Sequence, residues 1–214
     1  MIKVNKFPFL IDKGKIIIIS GPISSGKTTH FIRFVNSIKK KKRLVIKSIV
    51  DDRYSSEYIV SHDKSKLNSV KTQKLEDINP FIRKEIKLIA IDDAHFFGGE
   101  LIDFCLKQRI NNKIVLLTIV DKDHTGTDYD GDNYVKLSLN PDKTYRDLEK
   151  EGDIIIKLVA KCSICNSNAH RYKRIINNEL APDEPYIMVG GLEKYKPLCE
   201  KHFKEIIKKN YSSD

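Results

Sequence analysis

The residues best suited to chemistry near the start of the chain form a phosphate-binding motif. The segment Gly21-Pro22-Ile23-Ser24-Ser25-Gly26-Lys27-Thr28 fits the pattern G-x-x-x-x-G-K-[ST] at every position. Glycines let backbone N–H groups approach phosphate oxygens, the lysine supplies a cation, and the threonine hydroxyl is a ligand for Mg²⁺. An apolar run at residues 15–20 predicts a strand before the motif, and residues 27–37 predict a helix whose N-terminus favours anions. The motif therefore predicts a site for the phosphates of ATP, with Mg²⁺ on Thr28.

A pair of adjacent carboxylates ends another apolar run. Asp92 and Asp93 directly follow the sequence Leu-Ile-Ala-Ile. An aspartate at the end of a buried strand is suited to hold Mg²⁺, so we assign that role to Asp92. Asp93 is able to accept a proton from a substrate hydroxyl that attacks the terminal phosphate; alternatively, it only caps the turn that follows. His95, beside this pair, either tunes the site or is a surface residue.

Four side chains in the last quarter of the chain have the spacing of a structural zinc site. They form two pairs, each with two residues between its members: Cys162 with Cys165, and Cys199 with His202. Three thiolates and one imidazole complete a tetrahedral zinc shell with no open position. The alternative is a group of buried free thiols, which is how we interpret Cys105, alone in an apolar helical pattern. Zinc would clamp both ends of residues 166–198 and turn them into a lasso able to close over a ligand.

The elements that must position these groups alternate between strands and helices. Apolar runs predict strands, and segments with helical periodicity or capping signals predict helices. Strands are expected at residues 15–20, 43–49, 69–75, 87–91, 113–120 and 153–159. Helices are expected at residues 27–37, 76–83, 100–109 and 140–151. The last helix would have Asn140 as its N-cap and Pro141 as its first residue. The polar residues 51–68 are interpreted as a loop that orders on binding.

This alternation predicts an α/β fold of the P-loop NTPase type, with a mostly parallel sheet covered by helices. Residues 1–160 would form the nucleotide-binding domain. The composition changes after residue 160 to cysteines and polar residues, so residues 161–214 are expected to form a small zinc-binding lasso lobe.

Composition and charge limit the classes of partner. Of 214 residues, 40% are hydrophobic and 32% are charged, as in a globular protein, and the formal net charge is +10. The lysine runs at residues 39–43 and 208–209 lack interleaved aromatic side chains, which favours a solvated surface over a nucleic-acid site. No apolar run approaches the roughly 20 residues that span a bilayer, and residues 1–6 lack the long apolar stretch of a signal peptide. We therefore expect a cytoplasmic protein with no nucleic-acid or membrane partner.

Five motifs in this order resemble the thymidine kinases of the cytosolic, zinc-containing type over residues 15–203. Besides the phosphate-binding motif, they are Asp-Asp-Arg-Tyr-Ser-Ser at 51–56 with His-Asp at 62–63, Ile-Asp-Asp-Ala-His-Phe-Phe at 91–97, the Cys162/Cys165 pair, and residues 189–202. The last contains Val-Gly-Gly, Tyr195, Cys199 and His202. The resemblance implies an ATP-dependent kinase that phosphorylates the 5′-hydroxyl of thymidine, or of a related pyrimidine deoxynucleoside, for DNA synthesis. It also implies a homotetramer, or a dimer.

The resemblance further implies roles for individual residues. Catalysis would depend on Lys27, Arg53 and Asp93. The nucleotide would contact residues 21–28 and also Asp51, Asp52, Arg53, Asp92 and His95. The nucleoside would be enclosed by Phe96, His124, Tyr186, Ile187, Met188, Val189, Gly190 and Tyr195.

Several features depart from the family pattern and cluster on the nucleoside side. Asp93 replaces a glutamate, which withdraws the carboxylate by about 1 Å, a displacement able to cost about a hundredfold in rate. His124 stands where an aromatic residue usually packs on the base, Tyr172 replaces a lasso threonine, and residues 121–162 exceed the family length. These departures motivate an alternative, a non-catalytic or altered-specificity nucleotide-binding paralogue. The net charge alone motivates a third, a P-loop protein that acts on nucleic acid.

Overall fold

The computed structural model describes residues 14–51, 58–61, 64–121, 144–176, 179–181 and 190–211. The strands are β1 (Lys15–Ser20), β2 (Arg43–Ser48), β3 (Tyr58–Val60), β4 (Lys66–Asn68), β5 (Val70–Thr72), β6 (Leu88–Asp92), β7 (Ile114–Ile119), β8 (Ile154–Lys157), β9 (Ala160–Lys161), β10 (Asn168–Ala169), β11 (Arg171–Ile176), β12 (Glu179–Leu180) and β13 (Tyr195–Leu198). The α-helices are α1 (Lys27–Ser37), α2 (Glu100–Ile110), α3 (Tyr145–Glu151) and α4 (Glu200–Tyr211), and 3₁₀ segments span Lys40–Lys42, Leu75–Phe81 and Ala94–Phe97. Within these ranges, no helix has the length and apolar character needed to cross a membrane.

Six strands form one sheet in the order β5-β2-β6-β7-β1-β8, and every neighbouring pair is parallel. The strands are short runs of mainly branched aliphatic residues, which favour extended backbone and burial on both faces. β7 lies between β1 and β6, with Leu116 paired to Ile17 on one side and to Ala90 on the other. Because parallel strands end at the same edge, the segments that follow β1 and β6 leave the sheet side by side. The predicted α/β fold with a parallel sheet is confirmed.

Helices cover both faces of this sheet because its strands send alternate side chains into two cores. Ile17 and Ile19 of β1 share a core with Phe31 and Val35 of α1. Their neighbours Ile16 and Ile18 share the opposite core with residues of α2 and α3, among them Leu101, Cys105, Tyr145 and Leu148. Burial raises the pKa of the Cys105 thiol, so this cysteine is a core residue, as predicted.

The predicted elements of the sheet are present, and most of their ends agree within a residue or two. The expectation for residues 51–68 is wrong: their polar pattern predicts a loop, but β3 and β4 form an antiparallel hairpin within them. Ile59 and Leu67 are the apolar residues of this hairpin, and both pack into the core on the α1 face. Two apolar side chains in a polar stretch give too short a pattern to predict a hairpin.

The N-cap of α3 is also corrected. Thr144, with the extended backbone angles φ −122° and ψ 169°, precedes the helix and forms a capping box with Asp147. The backbone N–H of Thr144 donates to Oδ2 of Asp147 at 3.0 Å, and this bond is the main reason that the pKa of Asp147 is lowered. Asn140 is therefore not the N-cap of α3; residues 140–143 lie outside the described residues.

The strands that follow residue 159 pair with one another, and the helix that follows them packs on these strands. β9 and β10 are antiparallel, and β12, β11 and β13 form a separate antiparallel sheet. α4 packs on them through Phe203, which shares a small core with Ala160, Ala169 and Leu198. Arg171 fastens the helix further, because its Nε lies 3.0 Å from Glu200 Oε2 and its guanidinium carbon 4.6 Å from the centre of the Phe203 ring.

The capping box of α3 can be tested with the substitution Thr144→Ala. Loss of the hydroxyl removes its hydrogen bond to Oδ2 of Asp147 (2.9 Å) and breaks the capping box, so the free energy of unfolding is expected to fall by about 1 kcal/mol. Urea denaturation measures this change. Asn140→Ala is the matched control, with an expected change below about 0.5 kcal/mol. A larger loss in the Asn140 variant than in the Thr144 variant would contradict the assignment.

Candidate active site and metal centre

Residues 21–28 connect β1 to α1 by a turn whose shape requires both glycines. Gly21 has φ 149°, and a Cβ there would lie 2.5 Å from the carbonyl oxygen of Leu158. Gly26 has φ 87° and ψ 16°, the left-handed backbone that glycine adopts without strain, directly before the first residue of α1. The loop therefore lies tightly against the backbone after β8 and delivers the chain into α1.

The polar side chains of this turn are largely buried. Lys27 is 7% exposed, and its Nζ donates hydrogen bonds to the carbonyl oxygens of Gly21 (3.0 Å) and Pro22 (2.9 Å). The hydroxyl oxygens of Ser24 and Ser25 are buried, and no hydrogen-bond partner for them lies in the described ranges. An unsatisfied buried hydroxyl is costly, and phosphate oxygens would satisfy both. Together with the N–H groups at the start of α1, the turn fits the phosphate chain of a nucleotide.

At the end of β6, Asp92 and Asp93 are linked by a side chain of the neighbouring strand. Thr118 of β7 is fully buried; its hydroxyl donates to Oδ1 of Asp92 (2.5 Å) and accepts a hydrogen bond from the backbone N–H of Asp93 (2.7 Å). The two aspartates are 4% and 9% exposed. Thr118 is not predictable from the sequence, because one hydroxyl in an apolar strand belongs to no motif. Asp92 and Thr28, the second residue of α1, offer oxygen donors of the kind that Mg²⁺ prefers.

Asp93 has backbone angles φ 45° and ψ 49°, a left-handed conformation that Asp and Asn adopt more readily than most residues. It precedes the 3₁₀ segment Ala94–Phe97, but its side chain makes no capping hydrogen bond to that segment. The alternative in which Asp93 acts only as a cap is therefore not supported. Within the segment, the rings of His95 and Phe96 lie 4.2 Å apart, and both residues are half-buried beside the acidic pair.

A buried ion pair stands at the end of β2. Lys47 pairs with Asp92 in the register of β2 and β6, its side chain is 1% exposed, and its Nζ lies 3.3 Å from Oδ2 of Asp51. Buried charges are tolerated when they are paired, and this ion pair compensates the charge of Lys47, although its Nζ makes no hydrogen bond within the described ranges. The pair brings Asp51 to the same edge as Asp92. Lys47 belongs to none of the predicted site motifs, although a lysine inside an apolar strand pattern is a usable signal.

The lobe after residue 159 contacts the phosphate-binding turn through aromatic side chains. Tyr195, predicted to line the base pocket, is 4% exposed and clusters with Val120, Tyr172 and Ile23 of the turn. The rings of Tyr195 and Tyr172 meet edge to face at 5.5 Å, and the guanidinium carbon of Arg174 lies 5.7 Å from the Tyr195 ring centre. Tyr195 is therefore held in one orientation next to the turn.

The remaining predicted site residues divide into two groups. Gly190 is described and buried, at the start of the segment that leads to β13. The others lie outside the described residues: Asp52, Arg53, His124, Tyr186, Ile187, Met188 and Val189. Their predicted roles stay predictions.

The two predicted metal-ligand pairs come together in the lobe. One ligand atom from each of Cys162, Cys165, Cys199 and His202 lies within 4.8 Å of the others. His202 Nδ1 lies 3.3 Å from Sγ of Cys199 and 3.5 Å from Sγ of Cys162, and the Sγ atoms of Cys165 and Cys199 are 3.7 Å apart. These are the separations expected around one tetrahedral ion, and the donor set of three sulfurs and a nitrogen is suited to zinc.

The surroundings of Cys162 favour a thiolate. Burial raises the pKa of its thiol, but hydrogen bonds from the backbone of Cys199, Cys165 and Ile164 and from His202 outweigh this effect and lower the pKa to about 6. Ser167 lowers the pKa of Cys165 by a hydrogen bond to its sulfur. A backbone hydrogen bond at His202 lowers the pKa of Cys199, but burial and the sulfurs of Cys165 and Cys162 outweigh it and raise that pKa. Zinc binds thiolates, so Cys162 and Cys165 are the sulfurs best suited to it before it binds.

Comparison with known proteins adds independent information. The family described as thymidine kinase matches residues 14–203. A thymidine kinase of Mycoplasma capricolum subsp. capricolum is 35% identical over 198 residues, covering 89% of this chain and 88% of that protein. Among solved structures, the X-ray structure of the Legionella pneumophila ATPase DotB aligns at 14% identity with a TM-score of 0.42. That alignment covers 78% of this chain, which spans 47% of the length of the DotB chain.

The metal centre can be tested by replacing one ligand. Cys162→Ser is expected to lower the zinc content well below one ion per chain and, since 1 kcal/mol shifts the unfolding midpoint of a chain this long by about 2–4 °C, to lower that midpoint by at least about 5 °C. Elemental analysis and thermal unfolding measure the two effects. Cys105→Ala is the matched control: it removes a buried thiol far from the cluster and should keep the zinc. Unchanged zinc content in the Cys162 variant would refute the site.

Proposed function

The chain belongs to the thymidine kinase family, and we propose that it transfers the γ-phosphoryl group of ATP to the 5′-hydroxyl of thymidine or of a related pyrimidine deoxynucleoside. The products are the nucleoside monophosphate and ADP. One observation carries the proposal. The phosphate-binding turn, residues 21–28, and the acidic pair, Asp92 and Asp93, stand at one edge of the parallel sheet with only β7 between their strands.

The turn supplies the groups that bind the triphosphate. We assign to Lys27 the neutralisation of negative charge on the terminal phosphate as it is transferred. The hydroxyls of Ser24 and Ser25 and the first N–H groups of α1 would complete the cradle. By the family resemblance, Arg53 is a further catalytic cation, and Asp51, Asp52 and His95 lie close to the nucleotide.

Thr28 and Asp92 would hold Mg²⁺, which when bound neutralises charge on the β- and γ-phosphate oxygens. Asp92 is suited to this role, because its carboxylate is buried and held by Thr118. The neighbouring Lys47–Asp51 pair adds a cation and an anion to the same edge, so the excess negative charge of the three aspartates is partly balanced before a nucleotide binds.

Asp93 is the proposed general base. As the oxygen of the 5′-hydroxyl forms a bond to the γ-phosphorus, the bond from that phosphorus to the bridging oxygen of ADP breaks, and Asp93 takes the hydroxyl proton. The left-handed backbone at Asp93 and the bond from its N–H to Thr118 set the direction from which the carboxylate approaches.

The nucleoside would lie between the sheet edge and the lobe. Tyr195, Gly190 and Phe96 are the described residues that we assign to its pocket. Tyr195 belongs to the cluster against which Ile23 of the phosphate-binding turn packs, so a base next to Tyr195 would lie near that turn. His124 and residues 186–189 complete the proposed pocket by the family resemblance.

We extend the proposal to the organisation of the chain. Residues 1–160 form the nucleotide-binding domain, and residues 161–214 form the lasso lobe, which zinc holds closed. From the family resemblance we propose a homotetramer, or else a dimer, that is located in the cytoplasm and supplies nucleotides for DNA synthesis. Neither nucleic acid nor a membrane is a proposed partner. The alternative of a non-catalytic paralogue is favoured by no observation on the described residues, where Lys27, Asp92 and Asp93 are all present.

The assigned base is tested by Asp93→Asn, because asparagine shares the tolerance of aspartate for left-handed backbone and so should preserve the fold. We expect wild-type, zinc-replete protein to convert radiolabelled ATP and thymidine to thymidine monophosphate, and the variant to lose about 10²–10⁴-fold in kcat. The KM for ATP should change little.

Asp77→Asn, an exposed carboxylate on the segment Leu75–Phe81, is the control and should retain full activity. If the wild-type protein phosphorylates none of the common nucleosides, the proposed function is wrong. An Asp93 variant as active as wild type would instead reject only the choice of base.

A further inference from the structure

The position of Thr118 in the sheet is unusual for a polar side chain. It lies on β7, between the strand that leads into the phosphate-binding turn and the strand that ends at the acidic pair. It is fully buried, and its strand is otherwise the apolar sequence Ile-Val-Leu-Leu-Thr-Ile. A buried hydroxyl destabilises a core unless its hydrogen bonds are made. For packing alone, valine would fill the same space without that penalty.

Both hydrogen bonds of this hydroxyl are made to the acidic pair. Its one proton is directed at Oδ1 of Asp92, at an oxygen–oxygen distance of 2.5 Å. Its oxygen accepts the N–H of Asp93 at 2.7 Å. A hydroxyl has a single donor, so the two bonds fix each other: the carboxylate of Asp92 sets the hydroxyl rotamer, and that rotamer presents a lone pair to Asp93.

Each of the two hydrogen bonds restrains one motion: the first restrains rotation of the Asp92 carboxylate, and the second restrains the backbone of Asp93. The proposed reaction requires both groups to be held in place. The bond to Asp92 limits rotation of its carboxylate, which decides the oxygen presented to a metal ion. The bond to Asp93 anchors a backbone at φ 45°, a conformation that a non-glycine residue leaves easily when nothing holds it. The direction of the Asp93 side chain depends on that backbone.

We infer that Thr118 is a positioning residue for phosphoryl transfer: one hydroxyl orients the proposed magnesium ligand Asp92 and the proposed general base Asp93 relative to each other. This inference deepens the proposed function and rests on it for the roles of the two aspartates. Thr118 is assigned no direct role in phosphate binding, since β7 contributes no residue to the phosphate-binding turn. It acts only through Asp92 and Asp93.

The test compares Thr118→Val, which keeps shape and removes both bonds, with Thr118→Ser, which keeps the hydroxyl. For Thr118→Val we expect kcat to fall about 10- to 100-fold and the half-saturating Mg²⁺ concentration to rise, as for other residues that orient metal ligands. The KM for thymidine should stay near the wild-type value. Thr118→Ser should restore kcat and the Mg²⁺ requirement to near wild type.

Two measurements do not depend on turnover. Hydrogen exchange of the Asp93 amide, followed by NMR, should be slow in wild type and in Thr118→Ser and at least tenfold faster in Thr118→Val, since the acceptor is lost. Calorimetry with a non-hydrolysable ATP analogue should show weaker binding by Thr118→Val in Mg²⁺ but equal binding in EDTA. If Thr118→Val does not fold, Thr118→Ala replaces it in the same comparison with Thr118→Ser.

The outcomes separate this inference from the proposed function. A wild-type protein without kinase activity rejects the function, while amide exchange and Mg²⁺-dependent nucleotide binding still decide whether Thr118 organises the acidic pair. Thr118→Val with wild-type kcat, Mg²⁺ dependence and Asp93 exchange overturns the inference. Equal impairment of the Ser and Val variants also overturns it, because a variant that keeps the hydroxyl would then be no better than one that lacks it.

Discussion

The structure depends on the parallel pairing of β7 with both β1 and β6. Backbone hydrogen bonds hold neighbouring strands about 4.8 Å apart, so the ends of β1 and β6 stand about 10 Å from each other whatever side chains they carry. The chain after β1 forms the phosphate-binding turn, and the chain after β6 carries the acidic pair. A triphosphate with its metal ion spans a gap of this order. Apolar side chains on both faces of the sheet provide the free energy that keeps this spacing fixed.

The cost of this arrangement is a concentration of buried polar groups at one edge of an apolar sheet. Lys27, Lys47, Asp92 and Thr118 are each less than a tenth exposed. Each is accounted for by a neighbour: backbone carbonyls for Lys27, Asp51 for Lys47, and the Thr118 hydroxyl for Asp92. Polar groups fixed in this way need little reorganisation when charge develops during a reaction, which is the main source of electrostatic catalysis. The contacts that compensate these polar groups for burial therefore also hold them in the fixed positions that catalysis needs.

The lobe after residue 159 has only a small apolar core, which cannot by itself fix the long segment at residues 166–198. Phe203, Leu198 and two alanines form that core together with Cys162, which also belongs to the cluster of three cysteines and a histidine. Zinc at this cluster would tie the turn after β9 to the start of α4, which are far apart in sequence. Ile23 packs against the cluster of Val120, Tyr172 and Tyr195 and so joins the lobe to the phosphate-binding turn.

The sequence by itself determined the features that depend on local patterns: the phosphate-binding motif, the strands and helices with strong apolar periodicity, the four members of the cysteine–histidine cluster and the family. These signals are local because a turn, a strand or a ligand pair needs particular residue types at fixed short spacings. Only the tertiary structure decided the partners of residues far apart in the chain. It showed Thr118 bonded to Asp92 and Asp93, Lys47 beside Asp51 and Asp92, Ile59 and Leu67 turned into the core, and Thr144 in place of Asn140 as the cap of α3. A threonine or a lysine in an apolar strand looks the same in sequence whether its neighbour is a carboxylate or solvent, because the neighbour is set by strand order and register, which no short segment specifies.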